Sequence, residues 1–368
     1  MDFGQMKDYF GFVGLGQCGM RICLQFQKIG FSVSFINSDE IDAKELIAAD
    51  ENVLLLEGTG TGKSIKVGTQ ILEDHRPKFE SFLRRHTKNG MTIFVAGAGG
   101  GTGGSFIAPA VEYAKSLGHK VGVIVTLPPK MLGIVPANNA LKTIQALLKQ
   151  KLDLFVIADN EYLLDSVGKD DTWWGKINDK IVSNFHSIME ITRSDKSTKT
   201  GLGSIDQSEV FRAISYGKGL TDIRKSYLTM SACTQPPEEL QKVLFKPELT
   251  EGYDYKTTLC YLVCIDIPPD GSFINVAKNI FDISKKKLGN GVAILGMCTD
   301  PLLRDSIRVT YVHSGLKLPK VLQSRIKNLR RDEKSFSDKQ NKLDQTSEIM
   351  STLDLDQDLL EGEFEGLQ

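Results

Sequence analysis

A buried strand that runs into consecutive glycines and then into a helix is suited to holding an anion. Thr92–Ala96 reads as such a strand, and it leads into Gly97-Ala98-Gly99-Gly100-Gly101-Thr102-Gly103-Gly104-Ser105. With no side chains in the way, the backbone N–H groups of Gly99, Gly100, Gly101 and Gly103 can approach a phosphate closely. A helix expected from about Gly104 adds its dipole and its unpaired donors. Thr102 and Ser105 offer hydroxyls. So dense a glycine run loses backbone entropy without any packing gain, which argues against a plain surface loop. The expected chemistry is the cradling of nucleoside triphosphate phosphates.

Two further glycine loops follow other strands. Gly14-Leu15-Gly16-Gln17-Cys18-Gly19 fits the dinucleotide fingerprint G-x-G-x-x-G, with Asp39 about twenty residues on to hold a ribose. On its own that loop predicts a nicotinamide-dependent oxidoreductase. Glu57-Gly58-Thr59-Gly60-Thr61-Gly62-Lys63-Ser64 ends like a P-loop, but Glu57 stands where the first glycine is required. It reads either as another phosphate-facing loop, through Gly60 and Thr61, or as a turn. Further on, Asp206 and Glu209 are spaced i and i+3 at a helix start, so both carboxylates face the same way. Such a pair can orient and polarise one water. It can equally serve as a dipole partner of the helix.

These loops need a frame that brings them to one edge. Tyr9–Val13, Val33–Ile36, Val53–Leu56, Thr92–Ala96, Val121–Thr126 and Leu154–Ala158 read as strands, with helices over Gln17–Lys28 and from about Gly104 to Leu117. Continuous apolar strands separated by helices predict an α/β, Rossmann-like parallel sheet covered on both faces. Right-handed crossovers put its strand-to-helix loops on the C-terminal edge, where ligands bind. Trp173–Thr192 reads as a long helix with Ile177, Ile181, Val182, Phe185, Ile188 and Met189 in helical period. Beyond the polar segment Ser194–Gly203, strands over Tyr227–Cys233, Thr258–Ile267, Val292–Met297 and Ile307–Val312 and a helix near Phe273–Lys286 predict a smaller α+β domain. A charged helix starts at Pro319 with Val321, Leu322, Ile326 and Leu329 on one side, and Ser351–Gln368 has six carboxylates and no basic residue. That composition favours a frayed tail.

Three glycine loops are too many for one dinucleotide fold. Their combination resembles the tubulin/FtsZ superfamily of polymerising GTPases. Gly99–Ser105 is similar to the signature G-G-G-T-G-[ST]-G with its last two residues exchanged. Gly16-Gln17-Cys18-Gly19 is similar to the first nucleotide loop of tubulins, and Asn37-Ser38-Asp39 to the second loop, N-[ST]-D. Asp159-Asn160-Glu161 matches the D-N-E of the sixth loop. Gly201-Leu202-Gly203-Ser204-Ile205-Asp206-Gln207-Ser208-Glu209 is similar to the seventh, G-x-x-N-x-D-x-x-[DE], with Ser204 at the family asparagine. Ile307–Leu316 resembles the I-R-V-T-V-I-A-T-G-L strand of FtsZ-type proteins, so the likeness spans about Tyr9 to Leu316. In the fifth loop, Leu132 and Pro136 replace the FtsZ glutamate and arginine, leaving Asn138 and Asn139 as substitutes toward the ribose.

The resemblance implies a site for GTP, GDP and Mg²⁺. Asn160 and Asn178 would read the guanine edge, and Trp174 would stack on the base; read by itself, Trp174 also fits a core residue at a domain junction. Asp206 and Glu209 would complete the active site of the next subunit in a head-to-tail protofilament. The implied division is a GTP-binding domain (1–172), a central connecting helix (173–193), a C-terminal activation domain with the catalytic loop (194–318), and a C-terminal helix and acidic tail (319–368). Compact length, Glu209 and the charged C-terminal helix are most like TubZ-type plasmid or phage segregation proteins, in which the C-terminal segment meets filament neighbours or a DNA-binding adaptor.

Composition agrees with a large apolar core. The 368 residues are 41% hydrophobic and 25% charged, with a net charge of −1. No global basic field predicts direct contact with nucleic acid or an anionic membrane. No apolar run approaches the about 20 residues of a membrane span, and Met1–Tyr9 lacks an export signal. The six cysteines form no C-x-x-C pair and the five histidines are scattered, so free core thiols in a reducing cytoplasm are expected rather than a zinc site.

Overall fold

The apolar runs of the first half build one side of a ten-stranded sheet. The computed structural model describes residues 3–46, 52–56, 59–87, 90–168, 172–193, 196, 203–326, 328 and 331. Helix α1 (Phe3–Tyr9) leads into β1 (Phe10–Leu15), followed by α2 (Gly16–Lys28), β2 (Ser32–Asn37), α3 (Glu40–Leu46) and β3 (Val53–Leu55). Two helices, α4 (Ile65–Asp74) and α5 (Arg76–His86), precede β4 (Met91–Gly97). Next come α6 (Gly101–Ser116), β5 (Lys120–Leu127), α7 (Ile134–Leu148), β6 (Leu154–Asp159) and α8 (Asn160–Val167). β1 to β6 pair in parallel in the order β3-β2-β1-β4-β5-β6, as continuous apolar strands require.

The second half begins with α9 (Trp173–Ile191) and α10 (Gln207–Ser215). Then follow β7 (Leu220–Thr229), α11 (Met230–Cys233), α12 (Pro237–Leu244), β8 (Cys260–Ile267), α13 (Ile274–Leu288), β9 (Val292–Thr299) and β10 (Ser306–Leu316). Its strands continue the same sheet in the order β7-β10-β8-β9. The seam is one parallel pair, Phe155 with Leu220, and β10 is antiparallel to both β7 and β8. Met1–Lys320 form one unit; of the second, Val321–Gln368, residues 321–326 are helical and the acidic stretch 351–368 lies outside the described residues, as does Leu329. None of the described helices is long and apolar enough to cross a membrane.

Two local readings change. The strand expected over Tyr227–Cys233 starts seven residues earlier, because Asp222 and Arg224 are buried as a pair inside β7 and hide its apolar pattern. Met230–Cys233 turn into a helix capped by the Thr229 hydroxyl, which accepts from the Ala232 N–H. Helix α6 starts at Gly101, so half of the glycine run is helix rather than loop. Glycine costs a helix about 1 kcal/mol per residue. Here tertiary contact outweighs that cost, since a Cβ on Gly101 would lie 2.1 Å from Thr61 Oγ1.

Aromatic packing fixes α2 and α9 against the sheet. Phe12 of β1 stacks on Phe26 of α2 at 3.9 Å between ring centroids, and Phe185 of α9 meets both edge-on at 5.3 and 5.6 Å. Each such ring contributes about 1.5–3 kcal/mol on burial. Beneath α2, a Cβ on Gly19 would fall 2.0 Å from the Val95 carbonyl oxygen. Only glycine allows α2 to lie this close to β4, and that approach sets where the helix N-terminus points.

Candidate nucleotide site

At the C-terminal edge of the parallel strands lies a cavity of about 590 Å³. Leu15, Asn37, Gly97 and Thr126, from the C-terminal ends of four neighbouring strands, line it together with Asn160, the first residue of α8 after β6. Fifteen of the residues expected to hold nucleotide line this cavity: Gly16, Gln17, Cys18, Asn37, Asp39, Gly60, Thr61, Gly99, Gly100, Gly101, Thr102, Gly103, Asn160, Trp174 and Asn178. Glu57, Gly58, Gly201 and Leu202 lie outside the described residues.

Two helix N-termini converge here. Neither α2 nor α6 has a side-chain cap or an acidic residue in its first turn. The first N–H groups of each helix therefore have no intrahelical acceptor and present a positive dipole end to the cavity. Those of Gly101, Thr102 and Gly103 follow directly on Gly100, which occupies the N-cap. The Thr102 hydroxyl is tied to Ser38 Oγ at 2.6 Å, joining the signature loop Gly99–Ser105, the fourth of the nucleotide loops, to the second, Asn37–Asp39. Ser105, by contrast, donates back to the Gly101 carbonyl at 2.7 Å and does not line the cavity, so its hydroxyl supports the helix rather than the phosphates.

The other loops brace one another. Asp39 Oδ1 accepts from the N–H groups of Ile41 and Asp42, capping α3. Gln17 Nε2 donates to Asp42 Oδ1. Asn139 Nδ2 donates to the carbonyls of Lys63 and Gly99 at 2.8 and 3.2 Å. This corrects the expectation that Asn139 faces a ribose; it ties the third loop to the fourth, and neither Asn138 nor Asn139 lines the cavity.

Asp159, Asn160 and Glu161 divide three tasks. Asp159 Oδ1 accepts from the Glu161 N–H at 3.0 Å and caps α8. Glu161 reaches the fifth loop, where its carboxylate accepts from the Lys130 N–H at 2.8 Å. Asn160 faces the cavity, 2% exposed, and its Oδ1 has no partner among the described residues. The Nδ2 of Asn37, 1% exposed, is likewise unpaired. Buried polar atoms without partners are rare and mark places where a ligand completes the bonding. Trp174 is 36% exposed rather than a core residue, and it stacks on Trp173 at 3.5 Å between centroids. Asn178 lies one helical turn further on the same side of α9.

Asp206 and Glu209 do not line the cavity. They form a reciprocal capping box at the start of α10: Asp206 Oδ1 accepts from the Glu209 N–H at 2.8 Å, and Glu209 Oε2 accepts from the Asp206 N–H at 3.1 Å. The Ser208 hydroxyl, and then the Glu209 N–H, hold the Asp206 carboxyl below the usual carboxylate range. The segment before them is pinned to β9, where Ile205 packs over Gly296 and the Gly203 carbonyl accepts from the Met297 N–H.

The cavity also contains residues that motif reading passed over. Arg21 stands one turn beyond Gln17 on α2, a spacing that would have placed it on the same face. Lys63 belongs to the loop that fails as a P-loop. The lining therefore carries two basic side chains, Arg21 and Lys63, and two acidic ones, Asp39 and Asp42. No group of three or more His, Cys, Asp or Glu converges among the described residues. That donor set fits magnesium held mainly by phosphate oxygens and water, as this ion prefers.

The fold and cavity define an α/β nucleotide-binding protein with a phosphate site built from two helix N-termini. Residues 11–168 match the Tubulin/FtsZ family, GTPase domain, and that stretch is a domain of this family. The matched stretch is accordingly a GTPase domain. It is 26% identical over 321 residues to the cell division protein FtsZ 1 of Methanocaldococcus jannaschii, covering 85% of this chain and 84% of that protein. To the tubulin-like protein CetZ of Thermococcus kodakarensis it is 26% identical over 349 residues, covering 88% and 86%. In fold it is similar to a GTPγS-form protofilament of Bacillus thuringiensis serovar israelensis TubZ, with a TM-score of 0.75 at 18% identity over 91% of this chain and 93% of that one.

Proposed function

We propose that copies of this chain assemble head to tail into filaments and hydrolyse GTP at the junction between copies. The supporting observation is a separation. The residues around the phosphate cavity come from residues 15–178, whereas Asp206 and Glu209 cap α10 and line no part of it. A second copy stacked on the first would bring its α10 to the cavity, and the two carboxylates would orient the attacking water. The similar TubZ structure is itself a protofilament.

In this reading Asn160 and Asn178 take the guanine edge, and Trp174 stacks on the base. Gly16–Cys18 and Gly99–Gly103 hold the phosphates, while Asn37, Asp39, Gly60 and Thr61 close the sides. A metal ion, when bound, neutralises phosphate charge. Catalysis then comes from positioning and from fixed dipoles at the transferring group. Residues 1–172 act as the nucleotide domain, 173–193 as the connecting helix and 194–318 as the activation domain, and 319–368 meets filament neighbours or a DNA-binding adaptor. The filament works in the cytoplasm and moves or positions plasmid or phage DNA. A second reading, an FtsZ-like cell-division or other tubulin-like polymer, is favoured by the sequence likeness to FtsZ 1 and CetZ.

The test is GTP turnover per molecule against protein concentration. A steep rise above a threshold, coincident with light scattering, supports junctional hydrolysis; a flat dependence refutes it. Glu209→Gln sharpens the result, because glutamine preserves the capping box and removes only the charge. It should bind GTP like the parent, turn over at least tenfold more slowly, and give longer-lived filaments. Turnover at the parental rate would exclude Glu209 as the water-orienting group. A plasmid-retention assay against fluorescence imaging of division sites separates the two cargo readings.

A further inference from the structure

The third glycine loop contains a lysine that the proposed mechanism leaves without a role. Lys63 lines the cavity, and its backbone touches the phosphate end of it: a Cβ on Gly101 would lie 3.0 Å from the Lys63 carbonyl carbon. Gly101 is the first residue of α6. Asn139 holds Lys63 in place by donating to its carbonyl and, with the same nitrogen, to that of Gly99.

The backbone conformation adds a second observation. Gly60, Gly62 and Lys63 have φ of 71°, 56° and 64°. Glycine adopts this left-handed region without steric cost, whereas a long side chain does not. A third glycine at position 63 would therefore be the easier choice for the backbone, and the lysine found there instead brings a charged side chain to the cavity wall. Lys63 makes no ion pair or side-chain hydrogen bond among the described residues, so its charge is available to a ligand.

The order Gly62-Lys63-Ser64 before α4 matches the end of a P-loop, where the lysine reaches the β- and γ-phosphates and the serine holds the metal. Here the two roles part. Ser64 Oγ accepts from the Val67 N–H at 3.2 Å as the cap of α4, and Ser64 does not line the cavity. Only the lysine faces the ligand.

We infer that the Lys63 ammonium binds the terminal phosphate of bound GTP, so that the third loop distinguishes the triphosphate from the diphosphate by a direct charge contact. This inference rests on the nucleotide site described above. The contact strengthens as negative charge spreads onto the transferring group, so Lys63 contributes to turnover as well as to binding.

The test uses the full chain, diluted below its assembly threshold, with GTP and GDP competing against a fluorescent GDP analogue. Lys63→Met keeps the side-chain length and the backbone strain but removes the charge. GTP affinity should fall about tenfold, with GDP affinity within about twofold; above the assembly threshold, turnover per assembled molecule should fall as well. Lys63→Arg should restore most of the GTP preference. Lys63→Gly should raise thermal stability by relieving the backbone, yet show the same GTP defect as the methionine variant. Equal loss for both nucleotides, no loss for either, or unchanged GTP binding with a higher assembly threshold would each overturn the inference. If the parent chain binds neither nucleotide, the site reading itself fails, which is a separate outcome.

Discussion

Single atoms decide much at this site. Asn160 is buried to 2% exposure with an unpartnered Oδ1, which a guanine N1–H or amino group would satisfy. A buried acceptor without its partner costs about 1–3 kcal/mol. Asn160→Ala should therefore weaken GTP binding by about 10- to 100-fold with little change in thermal stability without nucleotide, as titration calorimetry and melting would show. Cys18 lines the same cavity, but burial pushes its thiol up, against a weaker opposing hydrogen bond from Thr126. It should alkylate slowly at pH 8 even without nucleotide; rapid modification by iodoacetamide would show that the loop opens.

At the scale of elements, two helix starts are held by different means. α2 is placed by contact, because Gly19 lets it rest on the Val95 carbonyl. Gly19→Ala forces the helix off β4 and should cost about 1–3 kcal/mol of stability, together with GTP affinity, since the N–H groups of Gly16–Cys18 move with it. α10 is placed by its capping box. Asp206→Ala should lose about 1 kcal/mol, whereas Glu209→Gln should lose much less, as denaturant midpoints would register. Because hydrogen bonds lower the folded pKa of Asp206, its capping contribution is full above the ordinary unfolded value of about 4 and fades as pH falls through the folded one.

In the molecule as a whole, the sheet continues from the nucleotide half into a second half whose buried polar groups do not line the nucleotide cavity. His313 of β10 is fully buried between Tyr311 and Tyr255, with both ring nitrogens unpaired among the described residues. Burial, and then the charge of Arg224, hold its imidazole well below the ordinary value. The folded form stays neutral while the unfolded chain takes up a proton below about pH 6.5. This group's contribution to stability is therefore full above that pH and declines below it, by about 1.4 kcal/mol per pH unit. Replacing the ring by an apolar one of similar shape removes this dependence without leaving a new unpaired group. His313→Phe should match the parent in urea unfolding at pH 7 and exceed it by about 1 kcal/mol at pH 5.5.

The phosphate loops and the parallel strands were legible in the chain, because glycine density and continuous apolar runs are local and have few other uses. Fifteen of the residues read as nucleotide contacts line one cavity. Burial, helix contact and shared bonds are not local, and only the tertiary structure decided them. The strand with Asp222 and Arg224 reads as polar until their pairing is seen. Asn139 reads as a ligand contact until its amide is found between two loop carbonyls. Ser105 reads as a phosphate donor until it bonds back to its own helix. Lys63 reads as the remnant of a failed motif until Gly101 and Asn139 place it beside the α6 N-terminus. In each case the residue type names what a side chain can bond, while the packing of distant segments determines which partner it meets.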